Sequence, residues 1–364
     1  TTAASARLDD NPRANDALAP VNPDALRNAF KVLVSEAGLQ QLTGAALAAA
    51  GFDLNGVDPT RLQLRHNGAE VALQIDGVAG GKLTASSTLR FYTAQVGDRW
   101  SAQETYWLTQ GDSAGLRMST RTVAQGAAPA RSTAFEQGLW EEPLLYDSRY
   151  EGSDGDHWFH RNLLTSQSSA AMAAAPANAG ATLTPRLPRV TDTGIYTVAV
   201  TTNIRGNHAM RVQIGSDQQD VTWSSVAANE FVRNWQHVIT STAQSNLLDI
   251  SLLSTPPTTD KEATILLDKV AYHVPVLLDF GGSGAQFVGV ADTWRYQWAN
   301  LPSGYTLYDV TSVATPVILS GADASGFQDG PTPRTYLVTG LGTLLIPTVV
   351  AHTPLAITGV SGAD

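Results

Sequence analysis

The stretch from Phe30 to Leu73 constrains the fold more than any other part of the chain, because it carries consecutive signals for a strand, a helix and a hairpin. Apolar residues recur at every second position over 30–34, which is the period of a half-buried strand. Leucine and alanine then follow at helical spacing over 44–50, and Gly51 stands where a helix ends in left-handed backbone. The dipeptide Asn67-Gly68 is typical of a two-residue β-hairpin turn. We predict a compact strand–helix–hairpin unit without an obvious reactive group.

Short alternating apolar runs continue along the rest of the chain and predict a mainly β protein. We expect an N-terminal α+β or mostly β domain over 29–165, built on the opening unit. Over 181–276 the runs come at the spacing of an antiparallel β-sandwich, and their order fits a jelly roll. A further set over 277–350 predicts a small β domain, either separate or fused with the sandwich. A low-complexity stretch of small residues, 168–180, is interpreted as a connector or a short helix.

Both ends of the chain have the composition of loops. Residues 1–28 are rich in alanine, asparagine, aspartate and proline and show no period, so we predict an extended N-terminal arm. Such an arm has too little apolar surface to offset its ordering entropy, and we expect it to order only against another surface, preferably a second protein chain. Residues 351–364 are predicted to be a C-terminal linker.

Composition excludes several classes of partner. The chain has 364 residues, a net charge of −10 and only 15% charged residues, which argues against nucleic acid and against an anionic membrane surface. It contains no cysteine, so disulfides, thiolate metal sites and a cysteine nucleophile are excluded in this chain. No apolar run reaches the length of a membrane span. The opening residues Thr1–Ala4 lack methionine and suggest a removed secretory leader, so we expect an extracellular or cell-surface protein.

No catalytic motif stands out in the sequence. Thr1 is an unpromising N-terminal nucleophile, because such a residue needs its amine buried beside a base. The run Gly281–Gly284 fails as a nucleophile elbow, and no phosphate-binding or dinucleotide-binding loop is present. Adjacent carboxylates such as Glu141-Glu142 point to opposite faces of a strand, which does not suit paired acid and base catalysis. We predict no catalytic residue and no organic cofactor.

One acidic stretch is a candidate for metal binding. Glu151, Asp154 and Asp156 lie close together among glycines, and hard oxygen ligands at alternate positions suit Ca²⁺. The spacing lacks the terminal bidentate glutamate of an EF-hand loop. The competing interpretation is a solvated turn that leads into the buried pair Trp158-Phe159. The nearby histidines, His157 and His160, are not assigned to a zinc site.

Aromatic residues offer a third kind of site. Tryptophan side chains exposed in a row can stack on sugar rings, whereas tryptophan in a sandwich belongs more often to the core. The residues concerned are Trp223, Trp235, Trp294 and Trp298.

A set of residues in the opening stretch forms a recognisable pattern: Phe30, Val32, Val34, Glu36, Gly38, Leu42, Thr43, Leu47, Ala49, Ala50, Gly51, Asp58, Pro59, Leu62, Leu64, Gly68, Glu70 and Val71. Further parts of the pattern follow in order at Tyr106–Leu108, Gly115–Met118, Asp156–Phe159, Tyr308–Thr311 and Thr315–Val317. With these residues the sequence resembles the N-terminal, non-catalytic region of gingipain-type secreted cysteine peptidases, sortase-like members included. The resemblance covers the part of those proteins that precedes the peptidase domain.

The resemblance implies a prodomain-like scaffold that acts through protein–protein contacts. In that family a cysteine and a histidine of the later caspase-like domain form the active site, and neither corresponds to a residue of this chain. The implied partner is another copy of the chain or a cleaved C-terminal peptidase domain. Two functions of other classes stay open at this point: a structural subunit of a cell-surface filament or layer, and a carbohydrate-binding module.

Overall fold

A computed structural model describes residues 29–96, 101–165, 180–183, 190–202, 206–225, 233–242, 248–251 and 263–352. Strands make up 53% of the described residues and helices 5%, in several antiparallel sheets, so the predicted mainly β fold class is confirmed. The predicted arm 1–28, nearly all of the connector 168–180 and most of the linker 351–364 lie outside the described residues.

The N-terminal part forms two small sheets and a short helix. Its elements are β1 (Phe30–Val34), β2 (Gly38–Thr43), α1 (Gly44–Ala49), β3 (Leu62–His66), β4 (Ala69–Val71), β5 (Gln74–Asp76), β6 (Thr88–Thr93) and β7 (Glu104–Gln110). Strands β1, β7, β3 and β4 are neighbours in a five-stranded sheet, and β2, β6 and β5 form a three-stranded sheet. The two sheets share one apolar core, to which Val32 and Leu108 contribute from the first sheet and Phe91 from the second.

The opening unit follows its local signals closely. Strand β1 begins and ends as predicted, and its inward residues are buried in strict alternation. The side chain of Thr43 caps α1 by accepting a hydrogen bond from the backbone N–H of Ala46 at 3.1 Å. Gly51 has a φ of 90°, and the Asn67-Gly68 turn between β3 and β4 has φ angles of 48° and 82°. Left-handed backbone therefore occurs at the two places where the sequence predicts it.

A larger body follows, built almost wholly of strands. Its first strands are β8 (Ser119–Thr122), β9 (Ala130–Arg131), β10 (Thr133–Trp140), β11 (Leu145–Tyr146), β12 (Trp158–Phe159), β13 (Arg161–Thr165), β14 (Gly180–Leu183), β15 (Gly194–Thr202), β16 (Gly206–Ile214), β17 (Asp217–Ser225), β18 (Arg233–Ser241), β19 (Leu248–Ser251) and β20 (Ala263–Leu277). The remaining strands of this body are β21 (Ala285–Val288), β22 (Trp294–Gln297), β23 (Thr306–Asp309), β24 (Val317–Ser320), β25 (Gly326–Asp329) and β26 (Thr335–Thr339). The last described strand, β27 (Thr348–Ala351), follows them in the chain.

One ten-stranded sheet dominates this body. Its order is β18-β15-β20-β10-β21-β26-β23-β24-β8, and β13 pairs additionally with β20. A four-stranded sheet, β14-β19-β16-β17, shares a core with the first part of it, to which Val198, Met210 and Val274 contribute. A three-stranded sheet, β25-β22-β9, shares an aromatic core with the second part. The aromatic members of that core include Phe280, Phe287, Tyr296, Trp298, Phe327 and Tyr336.

The strand pairing connects segments that the sequence places in different domains. Strand β10, from the predicted N-terminal domain, lies between β20 and β21, and β8 pairs in parallel with β24. The ten-stranded sheet thus contains strands of all three predicted domains. Strand β27 pairs with β1, so the last described strand belongs to the first sheet. The division into domains stays a prediction. None of the described helices is long and apolar enough to span a bilayer.

Candidate functional site

A bulge in the long strand β20 places the central residue of the candidate site. Strand β20 pairs with β15 in regular register, except that Ala199 lies opposite Lys269 while Val200 lies opposite Leu267. Asp268 is therefore left without an opposite residue on β15. A β-bulge of this kind redirects a side chain relative to its neighbours. The result is a carboxylate, only 1% exposed, in the middle of an apolar strand.

The two carboxylate oxygens of Asp268 have different surroundings. Oδ2 accepts hydrogen bonds from the backbone N–H of Ser153 at 2.9 Å and from the Ser153 hydroxyl at 2.6 Å. Oδ1 is fully buried and has no hydrogen-bond partner among the described residues. A buried polar atom without a partner costs about 1–3 kcal/mol, and more when it carries charge. Half of this carboxylate is thus satisfied by the β11–β12 loop, and half is not.

Other carboxylates lie close to that of Asp268. Glu141, Asp154 and Asp268 each place an oxygen within 4.8 Å of the others. Glu141 directly follows β10, which runs antiparallel beside β20, and Asp154 lies in the β11–β12 loop. A methyl group on Gly152 would lie 3.2 Å from Oδ1 of Asp268 and 3.3 Å from Oδ1 of Asp154 and from Oδ1 of Asp156. The bare backbone of Gly152 thus faces a space bordered by three carboxylate oxygens.

One lysine partly compensates this negative charge. Lys269 Nζ lies 2.9 Å from Asp154 Oδ2. Burial alone favours the neutral forms of both groups, but their hydrogen bond and attraction outweigh it, so the pKa of Lys269 lies above and that of Asp154 below its ordinary value. Burial, and then the neighbouring carboxylates, raise the pKa of Glu141 although Lys269 opposes them. Within the described chain the cluster contains four carboxylates and one ammonium group.

The structure brings together only part of the predicted metal ligands. Asp154 and Asp156 both border the space beside Gly152. Glu151 is not a member of the three-carboxylate group: its side chain lies beside Gly155, and its carbonyl accepts a hydrogen bond from the Thr201 hydroxyl at 3.1 Å. The metal prediction itself stays a prediction.

Sequence reasoning missed Glu141 and Asp268 as members of the cluster. Both are distant from the β11–β12 loop in sequence and reach it only through the pairing of β10 with β20. The sequence feature that could have indicated Asp268 is the charged pair Asp268-Lys269, which lies inside the largely apolar stretch ATILLDKVAYHVPVL. A charge in the centre of such a strand requires a partner.

A second charged cluster is balanced in charge, with two arginines and two aspartates. Arg121 on β8 lies 2.6 Å from an oxygen of Asp329 and 3.4 Å from Asp309, while Arg334 lies 2.7 Å from Asp309. The Tyr336 hydroxyl donates to Asp329 at 2.8 Å. Each carboxylate in this cluster has a guanidinium partner, so the arrangement indicates a structural role and no open coordination position.

The four tryptophans belong to two different apolar cores. Trp223 and Trp298 are buried in two different cores, and Trp235 and Trp294 pack against the same cores, so the four do not form an exposed row. His157 contacts the carbonyl of Tyr150 through Nδ1. In the part of the chain that the structure describes, the acidic group around Asp268 is the one set of three or more metal-binding side chains with this proximity.

The fold of this chain is similar to that of a protein of known structure. No protein-family model matches the sequence, and no curated protein matches it. The crystal structure of dimeric latent PorU from Porphyromonas gingivalis is similar, with a TM-score of 0.65 at 15% sequence identity over 91% of this chain and 33% of the PorU chain. The chain therefore spans about a third of the PorU chain, and the likeness shows a shared fold.

Two carbohydrate-related structures match far more weakly. The cycloalternan-forming enzyme from Listeria monocytogenes has a TM-score of 0.22 at 11% identity, over 68% of this chain and 19% of its own. An isomalto-dextranase from Arthrobacter globiformis, complexed with panose, has a TM-score of 0.23 at 12% identity, over 67% of this chain and 34% of its own. At such TM-scores neither carries an argument about fold or function.

Proposed function

We propose that this chain is a non-catalytic β region of a larger, secreted, gingipain-like protein and that it acts through contacts with other protein surfaces. The main support for this proposal is the fold shared with PorU, which extends over 91% of this chain but only 33% of the PorU chain. The sequence resemblance to the region before the peptidase domain points the same way. The family's nucleophile is a cysteine, and this chain contains none.

A surface suited to such contacts lies on the ten-stranded sheet, on the side away from the four-stranded sheet. On neighbouring strands, Leu139 lies opposite Ala271, and Ala271 lies opposite Thr197. Thr197 in turn lies opposite Val238, so all of these side chains are on the same outer face of the sheet. Leu139 is 51% exposed, Val238 62% and the neighbouring Ile195 44%. Large aliphatic side chains grouped on an open sheet face are typical of surfaces that another protein covers.

The partner that this face fits best is a second copy of the chain. Strand β18, which carries Val238, ends the ten-stranded sheet, and within the described residues no strand pairs with its outer side. An end strand of this kind offers backbone groups to an added strand. The similar crystal structure is that of PorU in a dimeric, latent form. We therefore assign the outer face, defined by Leu139, Ile195 and Val238, to self-association.

The self-association is tested by replacing Leu139 and Val238 together with lysine. The double variant is expected to associate at least roughly tenfold more weakly than the parent, because losing about 1.4 kcal/mol of apolar contact corresponds to that factor. Sedimentation equilibrium over a concentration series measures the dissociation constant. Ile346→Lys serves as the matched control, since Ile346 is 81% exposed and lies outside the sheet. A monomeric parent at every concentration, or equal association of the parent and the double variant, contradicts the assignment.

The non-catalytic role is tested separately by direct assay. We expect the purified chain to hydrolyse no peptide, ester or glycoside substrate, because it has no cysteine and its sequence shows no other pairing of nucleophile and base. Fluorogenic substrate panels on repurified protein provide the measurement. Turnover that persists through repurification and is lost on one point mutation in this chain would overturn the proposal.

A further inference from the structure

We propose that Glu141, Asp154 and Asp268 form a Ca²⁺-binding site between the end of β10, the bulge of β20 and the β11–β12 loop. The inference is independent of the proposed function, because it concerns the chemistry of one cluster inside the chain. Its three members each place an oxygen within 4.8 Å of the other two. Oxygens bound to one Ca²⁺ lie about 2.3–2.6 Å from the ion, so oxygens of this spacing are able to share it.

The unpartnered oxygen of Asp268 is the observation that points to a ligand. Oδ1 is a buried atom of a residue that is only 1% exposed, and no hydrogen-bond donor of the described residues reaches it. The acidic cluster alone would be an ordinary feature of a protein surface. Oδ1 borders the space beside Gly152 together with oxygens of Asp154 and Asp156. A buried anionic oxygen in such a place is unfavourable unless a cation compensates the charge.

The charge and shape of the site favour a divalent ion with hard ligands. Four carboxylates surround the site if Asp156 is included, and Lys269 supplies one positive charge, so a net charge of about −3 remains when all are ionised. Lys269 contacts Oδ2 of Asp154, whereas the oxygen facing the space beside Gly152 is Oδ1. The ion pair and a bound ion therefore use different oxygens of Asp154. The all-oxygen donor set and irregular loop suit Ca²⁺ better than Mg²⁺, which requires near-octahedral geometry.

A bound ion would connect three segments that are distant in sequence. Ser153 already ties the β11–β12 loop to Asp268 by two hydrogen bonds. An ion shared by Asp154, Asp268 and Glu141 adds the end of β10 to that connection. Calcium is therefore expected to stabilise the folded chain by mass action, since an unfolded chain does not hold these ligands together.

The test uses the full chain, freed of metal by chelation and titrated with CaCl₂ by calorimetry, with MgCl₂ in parallel. We expect one Ca²⁺ per chain with a dissociation constant of about 0.1–1 mM, in the range of extracellular modules. Glu141→Gln is expected to weaken binding at least roughly tenfold, because affinity depends on the number of charged ligands. Glu151→Gln, a neighbouring acidic residue outside the group, is the matched control and should bind like the parent.

Folding of each variant is checked by circular dichroism. The test relies on Glu141→Gln rather than on Asp268→Asn, because Asp268 is buried and its replacement is more liable to disturb folding. Lys269→Met gives a readout that a purely structural ion pair would not provide. It removes a neighbouring positive charge that repels the ion and is therefore expected to tighten Ca²⁺ binding. Absence of saturable Ca²⁺ binding to the folded parent overturns the proposal. So does equal affinity of the parent and Glu141→Gln, an equal loss for Glu151→Gln, or a Lys269→Met variant that binds no tighter than the parent.

Discussion

Replacement of Arg121 by methionine is expected to lower the free energy of unfolding by about 3–5 kcal/mol, the usual cost of removing one partner of a buried ion pair. Arg121 donates to both oxygens of Asp329, at 2.9 and 2.6 Å. Asp309 and Asp329 are both buried. Without Arg121, Asp329 keeps only the Tyr336 hydroxyl and the N–H of Gly330. Asp309 keeps Arg334 as its charged partner and two hydrogen bonds from Thr311. Urea denaturation at neutral pH measures the change.

The destabilisation caused by Arg121→Met should depend on pH in a definite direction. Burial alone would raise the pKa of Asp329, but the hydrogen bonds from Arg121 and Tyr336 hold it below its ordinary value of 3.8. A carboxyl group whose pKa is lowered by folding stabilises the folded state fully at pH values above its ordinary pKa. This stabilisation is lost as the pH falls through the pKa of the folded state. The deficit of the variant should therefore shrink below about pH 4.

Arg149→Met is the matched control, because its ion pair with Asp147 is on the surface with the arginine side chain 74% exposed. Ion pairs on the surface contribute little to stability, because solvent screens their attraction. Equal destabilisation by the two variants would contradict the role given to Arg121. Since Arg121 lies on β8 and its partners lie after residue 300, a single unfolding transition in the parent would also show that these distant segments unfold together.

Phe327→Ala is expected to destabilise the chain by about 3–5 kcal/mol, the range for removing a phenylalanine from a well-packed core. Phe327 is fully buried, and its ring centroid lies 5.1–5.3 Å from those of Tyr296, Trp298 and Tyr336. The cavity left by the ring cannot close without moving three other aromatic side chains. Denaturation and the near-ultraviolet circular dichroism of those aromatics report the loss.

The control for the aromatic core is Leu341→Ala, because Leu341 is 69% exposed. A surface substitution of this type changes stability by about 0.5 kcal/mol or less. If Phe327→Ala melts like this control, the aromatic core between the ten-stranded and three-stranded sheets is not a tightly packed unit.

Sequence reasoning succeeds where a structural feature is determined within a few residues. The Asn67-Gly68 turn and strand β1 depend on local backbone preference and on a period of two, and both occur where predicted. Strand β2 was missed because its burial does not alternate: Gln40 is buried within it. The Gln40 side chain donates to the carbonyl of Glu36 at 2.7 Å, a contact that hydrophobic periodicity does not reveal.

Features that depend on which strands become neighbours could not be predicted in this way. Periodicity identifies β10 and β20 as strands but does not indicate that they pair, and only that pairing brings Glu141 close to Asp268. The bulge at Asp268 adds one residue to a strand without leaving a distinctive residue pattern. Of the three proposed ligands, only Asp154 was therefore predicted from the sequence, because it lies in the β11–β12 loop, where acidic residues are close together along the chain.

The pairing of β27 with β1 has a consequence for the order of events during synthesis. The backbone N–H of His352 donates to the carbonyl of Ala29 at 2.9 Å, and β1 lies between β7 and β27. Strand β1 is made early, yet one of its two hydrogen-bonded neighbours is made last among the described strands. Contacts between such distant segments carry a high loop-closure cost and slow folding. One edge of the first sheet thus stays open while the chain emerges from the ribosome, and the sheet is completed only after the last described strand has been translated.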